Sequence, residues 1–482
     1  MAVEIVAGRA IAPYVGMSLY SWTIIIAVVL AGLSIGHYVG GVAADRNRNA
    51  RLWIAVGLLA AAATTLASLT LLTWLDPLLK GLNALSHAGF LTLGAFFAPS
   101  FCAGVLSPIL TKLALDASPP ERQGRILGLF FALGAGGAIL GTLVAGLVLI
   151  AWLGSAWSLI AIAGVYAALA LPFLVVRRRV PAAAGAALLL TLGGYGAMGP
   201  CDRESAYYCI QVDPLSEADQ ARVLALDHLA HGLNDRDNPE ALLAPYVHGV
   251  DELIRRRFPG PAIDAFFIGG GAFSLPRAWL SAYPAGRLLV AELDPAVTET
   301  AHDRLWLPRS DRLEVRHQDA RRALRLLPPD RRFDVVFGDA FHDISIPQHL
   351  VTDEFHALVK ARLKPGGAYA INVVDFLREP RLMLSLAKTL RRRFAHVELW
   401  IDVAELGQGE KRTTWIVIAS DQPTGQAQIA STRGPGRNWV QAPTEAMLSV
   451  PPPGALTLLS DDYSPVDRLL SRLLLDPSAA ER

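Results

Sequence analysis

Four features near the middle of the chain carry residues able to do chemistry. A glycine run, Gly269-Gly270-Gly271, ends an apolar segment and lets the backbone approach a ligand closely. Glu292 ends the next apolar segment about 20 residues later, where a carboxylate can hold both hydroxyls of a ribose. Asp319 ends a third segment and can accept a hydrogen bond from an adenine amino group. Asp339 ends a fourth, in Gly338-Asp339-Ala340-Phe341-His342-Asp343, next to where a substrate would react. Each has a plain structural explanation, because a glycine run makes a turn and an acid after a strand caps a helix. Four in series, one per strand, point instead to a nucleoside-binding site.

The elements that must position these residues are legible in the hydropathy pattern. Ile263–Ile268, Arg287–Glu292, Arg312–His317, Asp334–Phe337, Gly367–Val374, Val397–Asp402 and Thr414–Ala419 read as strands with helical segments between them. That alternation predicts a mostly parallel, doubly wound, Rossmann-like α/β sheet, whose chemistry collects at the carboxyl ends of its strands near the topological switch point. Before it, Ala206–Asp213 and Arg222–Asp227 read as strands of a small β subdomain, followed by a helical stretch at about 239–257. A tail rich in Pro, Gly and Gln follows residue 422 and closes on an amphipathic stretch, Asp467–Leu475. The expected boundaries are 201–262 for the small subdomain, 263–422 for the nucleoside-binding domain and 423–482 for the tail.

The first 200 residues are a different material. The chain has 482 residues with 44 Lys+Arg and 43 Asp+Glu, yet this stretch holds only 11 and 5 of them. Apolar runs long enough to cross a bilayer fall near 16–42, 52–75, 88–114, 126–152, 156–176 and 182–199, which predicts a multi-spanning helical membrane domain over 1–200. Loop charges alternate. Arg46, Arg48 and Arg51, then Lys112, Arg122 and Arg125, then Arg177, Arg178 and Arg179 follow the first, third and fifth runs, and the intervening loops are nearly bare. The positive-inside rule places those basic loops in the cytoplasm, which makes this a multi-pass inner-membrane protein with residues 201–482 outside the cytoplasm. Cys201 and Cys209 lie just past the last run; an oxidising compartment would let them bridge, and otherwise they are two small hydrophobic residues. Three cysteines exclude a Cys-only zinc site, and no metal is expected. A net charge of +1 gives no basic surface, so nucleic acid is not an expected partner.

The whole chain resembles the membrane-fused spermidine synthase-like proteins of bacteria, in the polyamine aminopropyltransferase family. In the soluble part the resemblance rests on Glu204-Ser205-Ala206-Tyr207-Tyr208, Leu226-Asp227, Gly269-Gly270-Gly271, Glu292-Leu293-Asp294, Asp319-Ala320, and Asp339 with Pro347 and Thr352-Asp353-Glu354-Phe355. In the membrane part it rests on Val6-Ala7-Gly8-Arg9 with Pro13-Tyr14, and on Gly40-Gly41-Val42-Ala43-Ala44-Asp45-Arg46. The glycine–Glu–Asp–Asp series is shared with S-adenosylmethionine methyltransferases.

The resemblance implies a co-substrate, S-adenosylmethionine or its decarboxylated form, rather than a permanently bound cofactor. Glu292 would hold the ribose, Asp319 with Ala320 the adenine, and Gly269, Gly270 and Gly271 would lie along the methionine-derived chain. Asp339 would be the catalytic acid that orients and deprotonates the attacking amine, with Tyr246 and His231 lining the amine site. The implied partners are a small-molecule amine, the lipid bilayer and a second copy in a homodimer. The family also has a hydrophobic helix upstream of Glu4, which implies a truncated start. Two departures stand out: Ala272 replaces an Asp that binds the amine end of the aminopropyl donor, and Ala340-Phe341-His342-Asp343 replaces a more acidic segment. Three functions follow: an aminopropyltransferase, another S-adenosylmethionine enzyme such as a methyltransferase or lyase, and a transporter or sensor with a nucleoside- or polyamine-binding domain.

Overall fold

The computed structural model describes residues 1–46, 49–174, 199–215, 220–342, 345–407, 412–452 and 454–472. The chain divides into two compact units, Met1–Cys209 and Ile210–Arg482. Arg48, Arg177–Arg179, all but the last residue of the expected span 182–199, Asp343 and the last three residues of the expected stretch Asp467–Leu475 lie outside the described residues.

The first unit is helical: α1 (Ala2–Val15), α2 (Leu19–Arg46), α3 (Ala50–Leu79), α4 (Ala84–Asp116), α5 (Gln123–Val144) and, after a π-helical turn, α6 (Ile150–Leu174). Four helical stretches are long and apolar enough to cross a membrane, the fourth being the 54 residues Pro120–Phe173. A straight helix of that length would reach about 80 Å against a hydrocarbon core of about 30 Å. It is broken at Gly154, where φ is 74°, and the expected spans 126–152 and 156–176 flank that break. Just beyond the described helices a two-residue strand, β1 (Arg203–Glu204), turns the Glu204 carboxylate onto the same break. It accepts from Ser155 N at 2.8 Å and Ser155 Oγ at 3.1 Å, so an acid caps the restarted helix. Nearby, a disulfide joins Cys201 to Cys209.

Glycine spacing explains how α2 and α4 meet. Gly32, Gly36 and Gly40 recur every fourth residue and so share one face. A Cβ on Gly36 would sit 2.3 Å from the Phe101 carbonyl oxygen, and one on Gly40 would sit 2.4 Å from that of Val105. From the other side, a Cβ on Gly104 would fall 2.6 Å from the Leu33 carbonyl. The backbones therefore touch, the packing expected where lipid tails remove any hydrophobic drive between helices. Against this pair α1 buries Val6, Ala7 and Ile11 among Val29, Leu72, Leu91 and Phe96. The sequence reading named no span here; α1 is a 14-residue helix packed inside the unit.

The second unit opens on an antiparallel meander of β2 (Cys209–Pro214), β3 (Ala221–Leu226) and β4 (Leu229–Asp235). The third of these strands was not predicted. Next come β5 (Asp264–Ile268), β6 (Arg287–Glu292), β7 (Leu313–His317), β8 (Phe333–Gly338), β9 (Leu363–Phe376), β10 (His396–Asp402), β11 (Arg412–Ser420), β12 (Gln428–Ala430) and β13 (Asn438–Ala442). These nine form one sheet in the order β12-β13-β10-β11-β9-β8-β5-β6-β7. The five strands β9, β8, β5, β6 and β7 run parallel, and their inner members are apolar on both faces, as helix-covered strands must be.

Expectation and structure part at the other edge, where β11, β10, β13 and β12 pair antiparallel. Ten positions separate the end of β10 at Asp402 from the start of β11 at Arg412, too few for the crossover that a parallel pair needs. The stretch after 422 is also more than a tail. It supplies β12 and β13, buries Trp439, and sends Leu459, Val466 and Leu470 into the main core.

The glycine contact sets the first test. Gly36→Leu forces a side chain into backbone and should lower the stability of the full chain in detergent micelles by at least the 1–3 kcal/mol, roughly, of an overpacked core. Gly41→Ala, where nothing lies within 4 Å, should leave the melting temperature unchanged. Equal melting of Gly36→Leu and the wild type would remove the claim of backbone contact.

Candidate functional site

Parallel strand order reverses between β5 and β8, so their connections leave to opposite sides and open a crevice at the carboxyl edge. Read across that edge, the strand ends present Asn372 on β9, Asp339 after β8, Gly269–Gly271 after β5, Glu292 on β6 and Asp319 after β7. Topology alone thus gathers residues more than 100 positions apart in sequence.

At the switch point the glycine run is a steric requirement. Gly269 has φ 92°, and a Cβ there would lie 2.6 Å from the Asp339 carbonyl oxygen. Asp339 N donates to Ile268 O at 2.9 Å, which ties the end of β8 to the end of β5. Gly271 is also left-handed, at φ 50°, under the carbonyl of His231 on β4.

Glu292 is nearly fully buried and already bonded. One oxygen accepts from Gly270 N at 2.7 Å and Gly271 N at 3.4 Å, the other from Asp294 N at 2.9 Å. Burial pushes its carboxyl above the ordinary range, against the pull of those three N–H groups. The acid expected at a ribose therefore also shapes the glycine loop. A carboxylate has about four acceptor directions, so room for hydroxyl donors remains.

Asp319 combines two roles. Its Oδ1 caps the helix Ala320–Leu326 by accepting from Arg322 N at 2.9 Å, and its Oδ2 lies 2.7 Å from His349 Nε2. The histidine contact is the main reason the carboxyl is held below its usual range. Ala320 is buried in the first turn of that helix. His349 was not singled out from sequence, and nothing local marks it. It sits on a single 3₁₀ turn braced through Arg321, which bonds its carbonyl at 3.2 Å and Asp461 at 2.6 and 2.5 Å.

Around Asp339 the environment differs. Tyr246, from the first turn of the helix Pro245–Arg257, donates its hydroxyl to Asp339 Oδ2 at 3.1 Å. Asn372 Nδ2 donates to Oδ1 at 2.8 Å. Desolvation pushes the carboxyl up to about 6, and the two hydrogen bonds restrain the rise. Near neutral pH it is ionised yet close to its titration, the setting of a general base. His231 is desolvated until its imidazole titrates at about 4, so it is neutral here. Ala272, in place of the family's Asp, is buried against β4, where a Cβ on Gly232 would come within 2.5 Å of its methyl. Among the described residues no cluster of three or more His, Cys, Asp or Glu could hold a metal ion.

Sequence reading missed Asn372. The signal was present: a lone polar residue in Ala370-Ile371-Asn372-Val373-Val374, inside a strand buried on both faces, needs a partner.

Fold and site define a spermidine synthase-like α/β unit joined in one chain to an apolar helical unit. The chain matches the family model of the Major Facilitator Superfamily over residues 5–292, from α1 to the end of β6, and belongs to that superfamily. It is 31% identical over 106 residues to the polyamine aminopropyltransferase of Vibrio vulnificus, matching 22% of this chain and 36% of that one. To the polyamine aminopropyltransferase of Nitrosomonas europaea it is 26% identical over 244 residues, 46% of this chain and 71% of the other. The chain thus spans only about a third of the length of the Vibrio relative. A probable spermidine synthase from Corynebacterium glutamicum superposes with a TM-score of 0.46 at 22% identity, over 54% of this chain and 95% of its own.

The raised Asp339 predicts a pH-dependent stability. A carboxyl that titrates near 6 when folded and near 4 when unfolded destabilises the fold above pH 6, and the penalty vanishes below pH 4. Asp339→Asn keeps the shape and removes the charge. It should therefore stabilise the full chain by about 1–2 kcal/mol at pH 8, a value reduced for partial exposure, and leave it unchanged at pH 4. Thermal unfolding in micelles at the two pH values checks this; destabilisation at pH 8 would contradict it.

Proposed function

We propose that the protein is a membrane-bound aminopropyltransferase that moves an aminopropyl group from decarboxylated S-adenosylmethionine to an amine. The observation that carries this reading is the Asp339 carboxylate, held by Tyr246 and Asn372 at the switch point and raised toward neutrality by desolvation. An ammonium cannot attack a sulfonium until it loses a proton, and a buried carboxylate beside the donor's reacting carbon can take it. Glu292 and Asp319, one and two strands beyond the glycine loop of β5, suit ribose and adenine in that order, with the glycine loop against the chain that bears sulfur. The names of the polyamine aminopropyltransferase relatives agree with this chemistry.

Ala272 favours a second reading. Without the Asp that meets the donor's amine end, the site retains its nucleoside half and loses one recognition group for the aminopropyl arm. Such a site also suits S-adenosylmethionine itself, as a methyltransferase or lyase would use it. Incubating the full chain with each donor form and a panel of amines, read by mass spectrometry, separates the two. Aminopropyl transfer, with turnover falling about 10²–10⁴-fold in Asp339→Asn, is the expected result. Methyl transfer, or wild-type rates in the variant, would replace it.

We also propose that the sheet unit lies outside the cytoplasm, on the inner membrane. The alternating basic loops support that orientation, and so does the disulfide at Cys201 and Cys209, a bond that persists in oxidising compartments. Alkaline phosphatase fused after residue 210 should be active. Silence there, together with free thiols at both cysteines, would return the unit to the cytoplasm.

A further inference from the structure

The helix that carries Tyr246 does not fix its own beginning. Ala244 at its N-cap has no side chain able to accept, Pro245 follows with no N–H, and no side-chain bond caps the first turn. Tyr246 sits in that turn. Its hydroxyl reaches Asp339 Oδ2 at 3.1 Å, longer than the roughly 2.7–2.8 Å at which O–H···O bonds are commonest. A contact that long is lost if the tyrosine retreats by about 0.5 Å. The start of the helix must therefore be held from outside, and the hairpin of β12 and β13 holds it. Arg437, just before β13, donates from Nη2 to the Leu243 carbonyl at 2.7 Å and from Nη1 to the Leu242 carbonyl at 3.3 Å. Those are the last two residues before the cap. The backbone of Arg437 is fixed in turn by Ser431, whose N donates to Arg437 O at 2.8 Å and whose Oγ accepts from Arg437 N at 2.9 Å. The hairpin tip also grips the helix farther along. Thr432 N and Oγ1 donate to the buried Glu252 at 2.6 and 2.9 Å, and Arg256 donates to Ala430 O at 2.7 Å.

We propose that Arg437 is a positioning residue for the reaction: by fixing the two carbonyls that lead into the helix, it holds Tyr246 within reach of Asp339. This rests on the aminopropyl-transfer reading above and adds to it a residue that touches neither the substrates nor the base. A guanidinium suits the task, because its planar fork meets two acceptors in one fixed geometry, where a lysine head makes a single point contact. The consequence for the base follows from its surroundings. Asp339 is bonded by Tyr246 from this helix and by Asn372 from β9, and Gly269 of β5 lies against its backbone. Both hydrogen bonds favour the carboxylate form. With Tyr246 withdrawn, the charge has less compensation, and Asp339 becomes an ionised base only at higher pH. The farther grip at Thr432 and Glu252 lies in the second and third turns of the helix and leaves Tyr246 where it is.

The test uses the full chain in detergent micelles, with decarboxylated S-adenosylmethionine and the fastest acceptor of the amine panel. The pH profile of kcat/KM is compared for wild type, Arg437→Met, Arg437→Lys, Tyr246→Phe, the Arg437→Met/Tyr246→Phe pair and Thr432→Val. In Tyr246→Phe and Arg437→Met alike, the acid limb should move up by roughly 0.5–1 pH unit. That shift lowers kcat/KM roughly 2- to 5-fold at pH 6 and leaves it nearly unchanged at pH 8.5, where the base is ionised in every variant. The pair should shift no further than Tyr246→Phe alone, since the two changes remove one and the same hydrogen bond. Arg437→Lys should shift less in the same direction, and it decides the case if Arg437→Met does not fold. Thr432→Val, which cuts the farther grip, should lower the melting temperature without moving the limb. An unmoved limb in Arg437→Met, additive shifts in the pair, or an equal shift in Thr432→Val overturns the proposal. A second readout needs no turnover. At pH 8 the rise in melting temperature on Asp339→Asn should be larger in Arg437→Met than in wild type, because a hydroxyl bonds a carboxylate more strongly than an amide, and the difference should vanish at pH 4. If wild type transfers nothing, the transfer reading fails while this comparison still shows whether Arg437 acts on Asp339; equal rises in both backgrounds would show that it does not.

Discussion

The close approach of Gly269 to the backbone of Asp339 is the constraint on which the rest of the sheet unit depends. Two parallel strands that diverge in connection must still come within a hydrogen bond of each other at their carboxyl ends. Only a residue without a side chain allows that on the β5 side, where a Cβ would meet the Asp339 carbonyl. Asp339 is thereby fixed at the mouth of the crevice, one position beyond a fully buried run, and its carboxyl loses much of its hydration. Tyr246 and Asn372 then compensate the charge just enough to keep it titratable near neutrality. The glycine loop is in turn held by Glu292, so one continuous set of backbone contacts runs from Asp339 to Glu292.

The parallel part of this design was legible because it is written locally. An apolar run ending in glycine or an acid marks a buried strand and its functional tip, and β5, β6, β7 and β8 fall at the expected positions. Pairing across the other edge was not legible. The alternation of β10 and β11 gives their strand character, and the short connection between them excludes a parallel pair, but which neighbours each one takes is not a local property. The C-terminal strands were missed because Pro, Gly and Gln around them suppress the apolar signal, while Trp439 and Ile429 provide the burial. Asn372 and His349 illustrate the two ways a site residue escapes notice. The first is a visible anomaly in a buried strand; the second is polar, exposed and ordinary until the fold brings Asp319 beside it.

In the helical unit the governing physics changes with the solvent. Apolar surface gives no drive for association in lipid, so shape must do what hydrophobicity does in water. The Gly32, Gly36 and Gly40 face and the reciprocal Gly104 contact meet that need. Polar side chains are used sparingly and locally, as where Glu204 meets Ser155 to restart α6 after Gly154. The superfamily match begins in this unit at residue 5.

Arg321 has an effect beyond its own ion pair. One guanidinium holds both the carboxylate of Asp461, 140 residues later, and the carbonyl of His349, whose ring rests on Asp319. Ser464 Oγ donates to Gln348 O on the same turn, and Asp353 N, at the start of the next helix, donates to Leu459 O, so the late segment is tied to three neighbouring elements. The stretch 459–466 therefore braces the Asp319 end of the crevice. During synthesis that brace arrives after every strand of the sheet is already made, so the Asp319 end of the crevice acquires its shape after the strands that frame it.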